Sequence, residues 1–256
     1  MAELHFPRRS VLRGTLRRRG IYLLPNLFTT GVLFGGFFAI VQAMNARYGW
    51  AAIAIFAAMI FDFLDGWVAR LTRTQSEFGA EYDSLADVVA FGVAPALVMY
   101  EWALRPLDRV GWIAAFAYCA ATALRLARFN VNIDVVDKRF FQGMPSPSAA
   151  ALLAGLVWVV DDLELERADW LHWLACILTL FAAVTMVSNV PFFSLKGVNL
   201  RRSVPFWVML AVVLAVMVIS ARPPVVLFAL FVAYSFSGYA MWAWNFRKSR
   251  RQTQVP

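Results

Sequence analysis

The chain has 256 residues, of which 61% are apolar, with a mean hydropathy of +0.63 and a formal net charge of +8. Ordinary soluble domains are only about half apolar, and several apolar runs here are long enough to cross the roughly 30 Å hydrocarbon core of a bilayer. A soluble enzyme is therefore excluded. In an integral membrane protein, such a positive charge indicates topology rather than a nucleic-acid partner.

The apolar segments predict an all-α polytopic membrane protein with about eight transmembrane helices. In chain order they cover residues 21–44, 50–71, 84–104, 110–128, 145–160, 171–192, 205–221 and 224–245. A basic segment, residues 1–20, precedes them, and a basic tail, residues 247–256, follows them. The first apolar run is too long for a cleavable signal peptide, and no small-residue cleavage site follows it.

The Lys and Arg residues divide unevenly between the two sides of this predicted bundle. With the N-terminus placed inside, 19 of the 24 fall on the inner side. The outer side keeps Arg47, Arg105, Arg109, Arg167 and Arg222. Because cytoplasmic loops carry the excess of basic residues, we expect both termini in the cytoplasm and a bacterial-type inner membrane as the location. The basic N-terminal run could also bind anionic headgroups, but its few apolar residues favour a simple topology anchor.

Acidic residues concentrate in the stretch from residue 61 to residue 87, FDFLDGWVARLTRTQSEFGAEYDSLAD. Asp62 and Asp65 are three residues apart at the inner end of the second predicted span, and Asp83 and Asp87 are four apart at the start of the third. Either separation puts both side chains on one helix face. Because the connection is short, the two helices should be antiparallel neighbours whose acidic faces converge.

Four converging carboxylates in a low dielectric need protons or cations. An all-oxygen site favours Mg²⁺, Mn²⁺ or Ca²⁺, and two such ions form the usual clamp for displacement at phosphorus. The alternative is an exposed acidic turn that only caps two helices. Gly66 favours the site, because a glycine within a helix costs roughly 0.5–1 kcal/mol relative to Ala and suggests that something must approach the backbone there.

The spacing of these residues resembles the signature of the CDP-alcohol phosphatidyltransferases. The matching pattern is Asp62-x2-Asp65-Gly66-x2-Ala69-Arg70-x8-Gly79-x3-Asp83-x3-Asp87. The resemblance implies a six-helix catalytic core that is usually dimeric, here residues 21–192, followed by two additional helices within residues 193–246. It also implies transfer of a phosphatidyl group from CDP-diacylglycerol to an alcohol, with release of CMP.

The same resemblance implies a role for each matched residue. Asp62, Asp65 and Asp83 are expected to bind two divalent cations, Mg²⁺ or Mn²⁺, with Ca²⁺ as a possible non-productive occupant. Asp87 is expected to contact the second metal and to act as the general base. The residues expected at the cytidine and its pyrophosphate are Asp62, Gly66, Ala69, Arg70 and Gly79.

Further stretches resemble the phosphatidylserine synthase branch of this family, which uses L-serine as the acceptor. They are FGVAPA (91–96), ALRLARFN (123–130) and FQGMPSPSAA (141–150), while PNLFTTG (25–31) fits the family more generally. Arg125 and Arg128 share a helix face and either hold a phosphate or the serine carboxylate, or only flank the membrane. Asn26 and Thr29 either line the pocket or only satisfy each other and the backbone.

Two other functions stay open at this level. A sibling transferase could use glycerol 3-phosphate or inositol phosphate, since the basic inner loops could bind a further phosphate. A cation-coupled transporter could also place acidic residues in a membrane. However, a transport path should continue through the bilayer, and the predicted fifth to eighth spans hold no Asp or Glu in their apolar cores.

Overall fold

The computed structural model describes residues 11–72, 76–131, 140–165, 168–193 and 206–252. Residues 1–10 of the predicted basic segment and residues 253–256 of the predicted tail lie outside this description. The α-helices are α1 (Val11–Met44), α2 (Tyr48–Thr72), α3 (Glu77–Asp87), α4 (Ala94–Met99), α5 (Asp108–Val131), α6 (Ser146–Asp162), α7 (Asp169–Val187), α8 (Phe206–Ala221) and α9 (Pro223–Gln252). The predicted all-α class is confirmed.

The third predicted span is a composite helix. A π-helical segment, Val88–Val93, joins α3 to α4, and a second one, Tyr100–Leu104, continues from α4. A 3₁₀ turn, Arg105–Leu107, then leads to Asp108, whose φ of 46° breaks the helical path before α5. π segments within α-helices occur often at functional sites. Here the first of them begins directly after Asp87.

Within the described residues, five helical stretches are long and apolar enough to cross a bilayer. They are Asn26–Met44, Tyr48–Leu71, Glu77–Val131, Asp169–Val187 and Pro223–Ala243. The 55-residue stretch contains two of the predicted spans, separated by the break at Asp108. Helices α6 and α8, of 17 and 16 residues, correspond to two further predicted spans. A polytopic membrane protein is therefore confirmed, while the count of eight spans stays a prediction.

A short strand pair interrupts the helical pattern at one end of the bundle. Strand β1 (Phe140–Gln142) pairs antiparallel with β2 (Pro191–Phe193), and Phe141 lies opposite Phe192. The prediction of helix to residue 192 is wrong beyond Val187. Ser188 adopts an extended conformation there, with ψ of 163°, and Pro191 has no N–H to continue a helix.

Small residues let the helices of the core approach closely. Ala51, Ala52 and Ala58 on α2 are fully buried, as are Ala149, Ala150 and Ala151 on α6. A Cβ on Gly36 would come within 2.6 Å of the Cα of Ala90, so α1 and the first π segment touch through their backbones. Close packing of small residues is a usual source of helix association in lipid, because the lipid tails are as apolar as the side chains and leave no hydrophobic driving force between helices.

Side-chain hydrogen bonds show which helix ends meet. Thr29 on α1 donates to Asp65 on α2, and Asn130 at the end of α5 donates to Ser84 on α3 with an N···O distance of 3.0 Å. Arg128 on α5 donates to the carbonyl of Val187 at the end of α7, at 3.2 Å. Helix α3 and the ends of α5 and α7 therefore lie together, and the end of α2 joins them because Asp62 lies close to Asp83 and Asp87. We call this region the acidic end of the bundle.

Candidate active site

The start of α3 is fixed by a local cap, which places Asp83 and Asp87 opposite the end of α2. Ser76 is extended, with φ of −121° and ψ of 151°, and its hydroxyl accepts a hydrogen bond from the Gly79 amide at 3.0 Å. Serine is a preferred N-cap because it satisfies an amide that the first helical turn leaves open. Helix α3 thereby begins earlier than the predicted span, and the acidic faces of α2 and α3 converge as predicted.

Three of the four predicted carboxylates form one cluster. Asp62, Asp83 and Asp87 each offer one oxygen, and these three oxygens lie within 4.8 Å of one another. Two ligands of a Mg²⁺ or Ca²⁺ ion, each about 2.0–2.6 Å from it, lie at most about 5 Å apart. The Oδ1 atom of Asp87 is shielded from solvent and has no hydrogen-bond partner among the described residues. The donor chemistry, the spacing and this unused oxygen all fit a hard divalent cation.

Asp65 lies beside this cluster rather than within it. Its side chain is 6% exposed, and its Oδ2 accepts a hydrogen bond from Thr29, which is itself buried. Thr29 was predicted either to line the pocket or only to satisfy Asn26 and the backbone, and it lies among the residues that line the cavity described below. The hydroxyl of Thr29 fixes how the carboxylate of Asp65 is oriented, as groups behind a metal ligand commonly do.

A cavity of about 310 Å³ opens next to the carboxylates. It is lined by Asn26, Thr29, Asp65, Gly66, Ala69, Arg70, Ser76, Gly79, Ala80 and Asp83. The structure thus brings the predicted nucleotide residues of α2 and α3 to one cavity, together with Asn26 from α1. Asp62, which was also predicted to contact the nucleotide, belongs to the carboxylate cluster and is not among the lining residues.

The two glycines of the cavity differ in what surrounds them. A Cβ on Gly66 would meet nothing closer than the guanidinium of Arg70, at 3.9 Å. A Cβ on Gly79 would lie 3.0 Å from the Ser76 hydroxyl oxygen and 3.4 Å from Oδ1 of Asn26. Packing within the protein therefore explains the glycine at position 79 but not the one at position 66. The space in front of Gly66 is available to a ligand.

Replacing Gly66 by Ala should separate ligand binding from folding. The helix should gain roughly 0.5–1 kcal/mol, because glycine is the weaker helix former and the new methyl group clashes with no protein atom. We expect an unchanged or higher melting temperature in detergent together with weaker binding of a cytidine nucleotide. Ala57→Gly, in the apolar part of α2, is the matched control and should lower the melting temperature without changing binding. Undiminished nucleotide affinity in Gly66→Ala would show that no ligand needs this space.

Arg125 is a buried cation near Asp87. Its side chain is 8% exposed, and its Nη1 donates to the hydroxyl of Ser146 at 3.1 Å. Its Nε has no hydrogen-bond partner among the described residues, and its charge interacts with that of Asp87. A buried guanidinium with an unused N–H is suited to bind a carboxylate or a phosphate. The structure therefore places Arg125 near the carboxylate cluster.

Arg128 has a different environment. Its guanidinium donates to the carbonyls of Gln142 and Val187 and to Oδ1 of Asn189, each at 3.2 Å, and to the carbonyl of Ser188 at 3.4 Å. Carbonyls at a helix C-terminus attract cations because they lack intrahelical partners. Arg128 thus fastens the end of α7 to the strand pair, and it is not brought to the cavity.

Other residues of the site were not singled out from the sequence. Ser76 lines the cavity and caps α3, and its position just before a helical stretch could have identified it as an N-cap. Tyr118, which is fully buried, donates from its hydroxyl to the carbonyl of Phe91 at 3.0 Å. That bond satisfies a carbonyl of the π segment that follows Asp87. No local pattern could reveal it, because the two residues are 27 positions apart.

Comparison with known proteins is consistent with this geometry. Residues 22–181 match the model of the family described as CDP-alcohol phosphatidyltransferase. A protein of Helicobacter pylori named CDP-diacylglycerol–serine O-phosphatidyltransferase is 40% identical over 180 residues, which are 70% of this chain and 75% of that protein. A protein of the same name from Mycobacterium tuberculosis is 35% identical over 230 residues, or 85% of this chain and 78% of that protein. One from Saccharomyces cerevisiae is 37% identical over 141 residues, half of each chain.

Proposed function

The chain belongs to the CDP-alcohol phosphatidyltransferase family, and on this basis we propose that it transfers the phosphatidyl group of CDP-diacylglycerol to the hydroxyl of L-serine. The products are phosphatidylserine and CMP. The observation that carries the proposal is the cluster of three carboxylate oxygens within 4.8 Å of one another, beside a cavity with open space at Gly66. The choice of serine among acceptors rests on the names of the similar proteins.

The carboxylates would hold two divalent cations, Mg²⁺ or Mn²⁺. Asp62, Asp83 and Asp87 are the ligands that the cluster offers, and Asp65 would add an oxygen from the cavity side, oriented by Thr29. Ca²⁺ would fit the same oxygens without supporting turnover. When bound, the cations would supply positive charge to balance the pyrophosphate as CMP leaves.

In the proposed reaction Asp87 accepts the proton of the serine hydroxyl. The serine oxygen then attacks the phosphorus that carries the diacylglycerol, a new P–O bond forms, and the bond to the CMP oxygen breaks. The cavity residues Gly66, Ala69 and Gly79 would admit the cytidine and its pyrophosphate, and Arg70 and Asn26 line the same cavity. A carboxylate can act as the base because it needs only to lie within hydrogen-bond reach of the hydroxyl.

The acceptor would bind on the other side of Asp87, toward Arg125. The unused Nε of Arg125 would bind the serine carboxylate, and its contact with Ser146 would keep the guanidinium in place. Arg128, which already donates to four protein oxygens, would support this region rather than touch the substrate. Binding the lipid phosphate is the other use that the chemistry of Arg125 allows.

The setting of the reaction is also part of the proposal. A multi-pass membrane protein supports a lipid substrate, and the excess of basic residues on one side supports a cytoplasmic membrane with the acidic end and both termini inside. The family resemblance supports a homodimer. Crosslinking of the purified protein in nanodiscs would test the dimer independently of activity.

An acceptor panel on the purified protein tests the function. CDP-diacylglycerol and Mg²⁺ or Mn²⁺ are supplied with serine, glycerol 3-phosphate or inositol phosphate, and CMP release and the lipid product are followed. We expect CMP and phosphatidylserine in equal amounts, with serine only. Turnover with another acceptor would identify a sibling transferase with the same carboxylates, and silence with every acceptor would reject transfer and favour cation transport.

A further inference from the structure

The last helix, α9, lies beyond residues 22–181, the part of the chain that matches the family model. It nevertheless packs at the acidic end of the bundle. The hydroxyl of Tyr239 on α9 forms a hydrogen bond with the hydroxyl of Thr185 on α7, at 2.7 Å, and Thr185 is fully buried. A hydrogen bond to a buried hydroxyl helps to fix two helices in register, because the hydroxyl of Thr185 would otherwise lose this partner in a place that solvent does not reach.

Helix α9 also holds strand β2. The ring of Phe192 in β2 is fully buried, and its centroid lies 5.6 Å from that of Tyr234 on α9. One turn further along α9, a Cβ on Gly238 would come within 2.5–2.8 Å of three atoms of the Phe192 ring. The ring therefore occupies the space that the glycine leaves open. Since Phe192 is buried on all sides, it has little room to move away.

The residues that contact α9 also contact the segment that leads to Ser146, the hydrogen-bond partner of Arg125. Phe192 pairs with Phe141 across the two strands, and the Gly143 amide donates to the Val190 carbonyl at 2.9 Å. The Met144 amide donates to the carbonyl of Thr185 at 3.2 Å. Two residues later, Ser146 accepts the hydrogen bond of Arg125. Thr185 thus contacts α9 through its side chain, and its carbonyl contacts Met144, two residues before Ser146.

We propose that α9 is part of the acceptor-binding machinery, with Gly238 and Tyr239 as positioning residues that set the place of Ser146 and, through it, of Arg125. This inference rests on the proposed function, and it makes serine binding depend on a helix outside the matched part of the chain. The carboxylate cluster and the cavity are built by α1, α2 and α3. Changes in α9 should therefore affect the acceptor and spare the nucleotide.

The test measures KM for serine and for CDP-diacylglycerol in two α9 variants of the full chain in detergent–lipid micelles. Tyr239→Phe removes one hydrogen bond, and we expect KM for serine to rise about two- to tenfold. Gly238→Ala forces the Phe192 ring aside, and we expect a rise of more than about tenfold, because small misplacements near a reacting group have large effects. In both variants KM for CDP-diacylglycerol and the affinity for a cytidine nucleotide should stay at the wild-type values.

Gly155→Ala is the matched control. It crowds the same helix, since its Cβ would lie 3.2 Å from the Cα of Phe228, but that contact is ten residues along α9 from Gly238. If the control reproduces the rise in KM for serine, or if the α9 variants raise both KM values equally, α9 serves only folding and the inference is wrong. Should Gly238→Ala fail to fold, Tyr239→Phe decides alone. A wild-type protein that releases no CMP with serine would instead reject the proposed function itself, before any variant is compared.

Discussion

Asp87→Asn is expected to lower kcat by about 10²–10⁴-fold, the range of a lost general acid or base, and to leave nucleotide binding nearly intact. Asparagine keeps the size of the side chain and one oxygen that a cation can use, but it cannot accept the proton of the serine hydroxyl. The position of Asp87 supports this role, because its carboxylate belongs to the cluster and its charge also interacts with that of Arg125. Rates of CMP release and calorimetric binding of a cytidine nucleotide, measured on one preparation, give both quantities.

Glu81→Gln provides the control, because it neutralises an exposed acid on the same helix, six residues before Asp87. It should leave kcat and binding unchanged. Loss of nucleotide binding in Asp87→Asn would contradict the assignment of Asp87 as the base and indicate a role mainly in holding the substrate. Trapping of a phosphatidyl group on the protein would replace direct attack by a two-step transfer.

The sequence predicted the parts of the site that depend on local periodicity. Asp62 and Asp65 share a face of α2, Asp83 and Asp87 share a face of α3, and a short connection makes the two faces meet. The apolar lengths likewise predicted where the helices lie, although α1 begins ten residues before its predicted span and α7 ends five residues before its predicted end. Such features follow from helix geometry and the thickness of a bilayer, which act on neighbouring residues.

Features that depend on distant contacts could not be predicted in this way. Arg128 lies three residues after Arg125 and shares its helix face, but the acceptors of its hydrogen bonds are Gln142 and residues 187–189. The strand pair beside them joins segments about fifty residues apart, and its second strand begins within a stretch that was predicted as helix to residue 192. The hydrogen bond that Asp65 accepts also comes from a distant residue, Thr29, 36 positions earlier.

Removal of divalent cations should abolish CMP release, and added Mg²⁺ or Mn²⁺ should restore it. Without a cation, the negative charges of Asp62, Asp83 and Asp87 would repel the pyrophosphate, and the substrate could not bind productively. Dialysis against a chelator, followed by titration with each metal, measures the concentration that gives half-maximal rate. Activity that survives chelation would show that the carboxylates work without a cation.

Single substitutions should then separate the carboxylates by their place in the site. Asp62→Asn removes one charge from the cluster itself, and we expect the half-maximal metal concentration to rise at least about 10–100-fold, with partial recovery at high Mn²⁺. Thr29→Val removes the hydrogen bond to the carboxylate of Asp65 without changing any charge. It should raise the half-maximal metal concentration less than Asp62→Asn does. Glu77→Gln, an exposed acid in the first turn of α3, should leave the titration unchanged. An equal response of Asp62→Asn and Glu77→Gln would mean that the acidic end attracts cations only through its overall charge, because a specific site must distinguish an oxygen within the cluster from one on the surface.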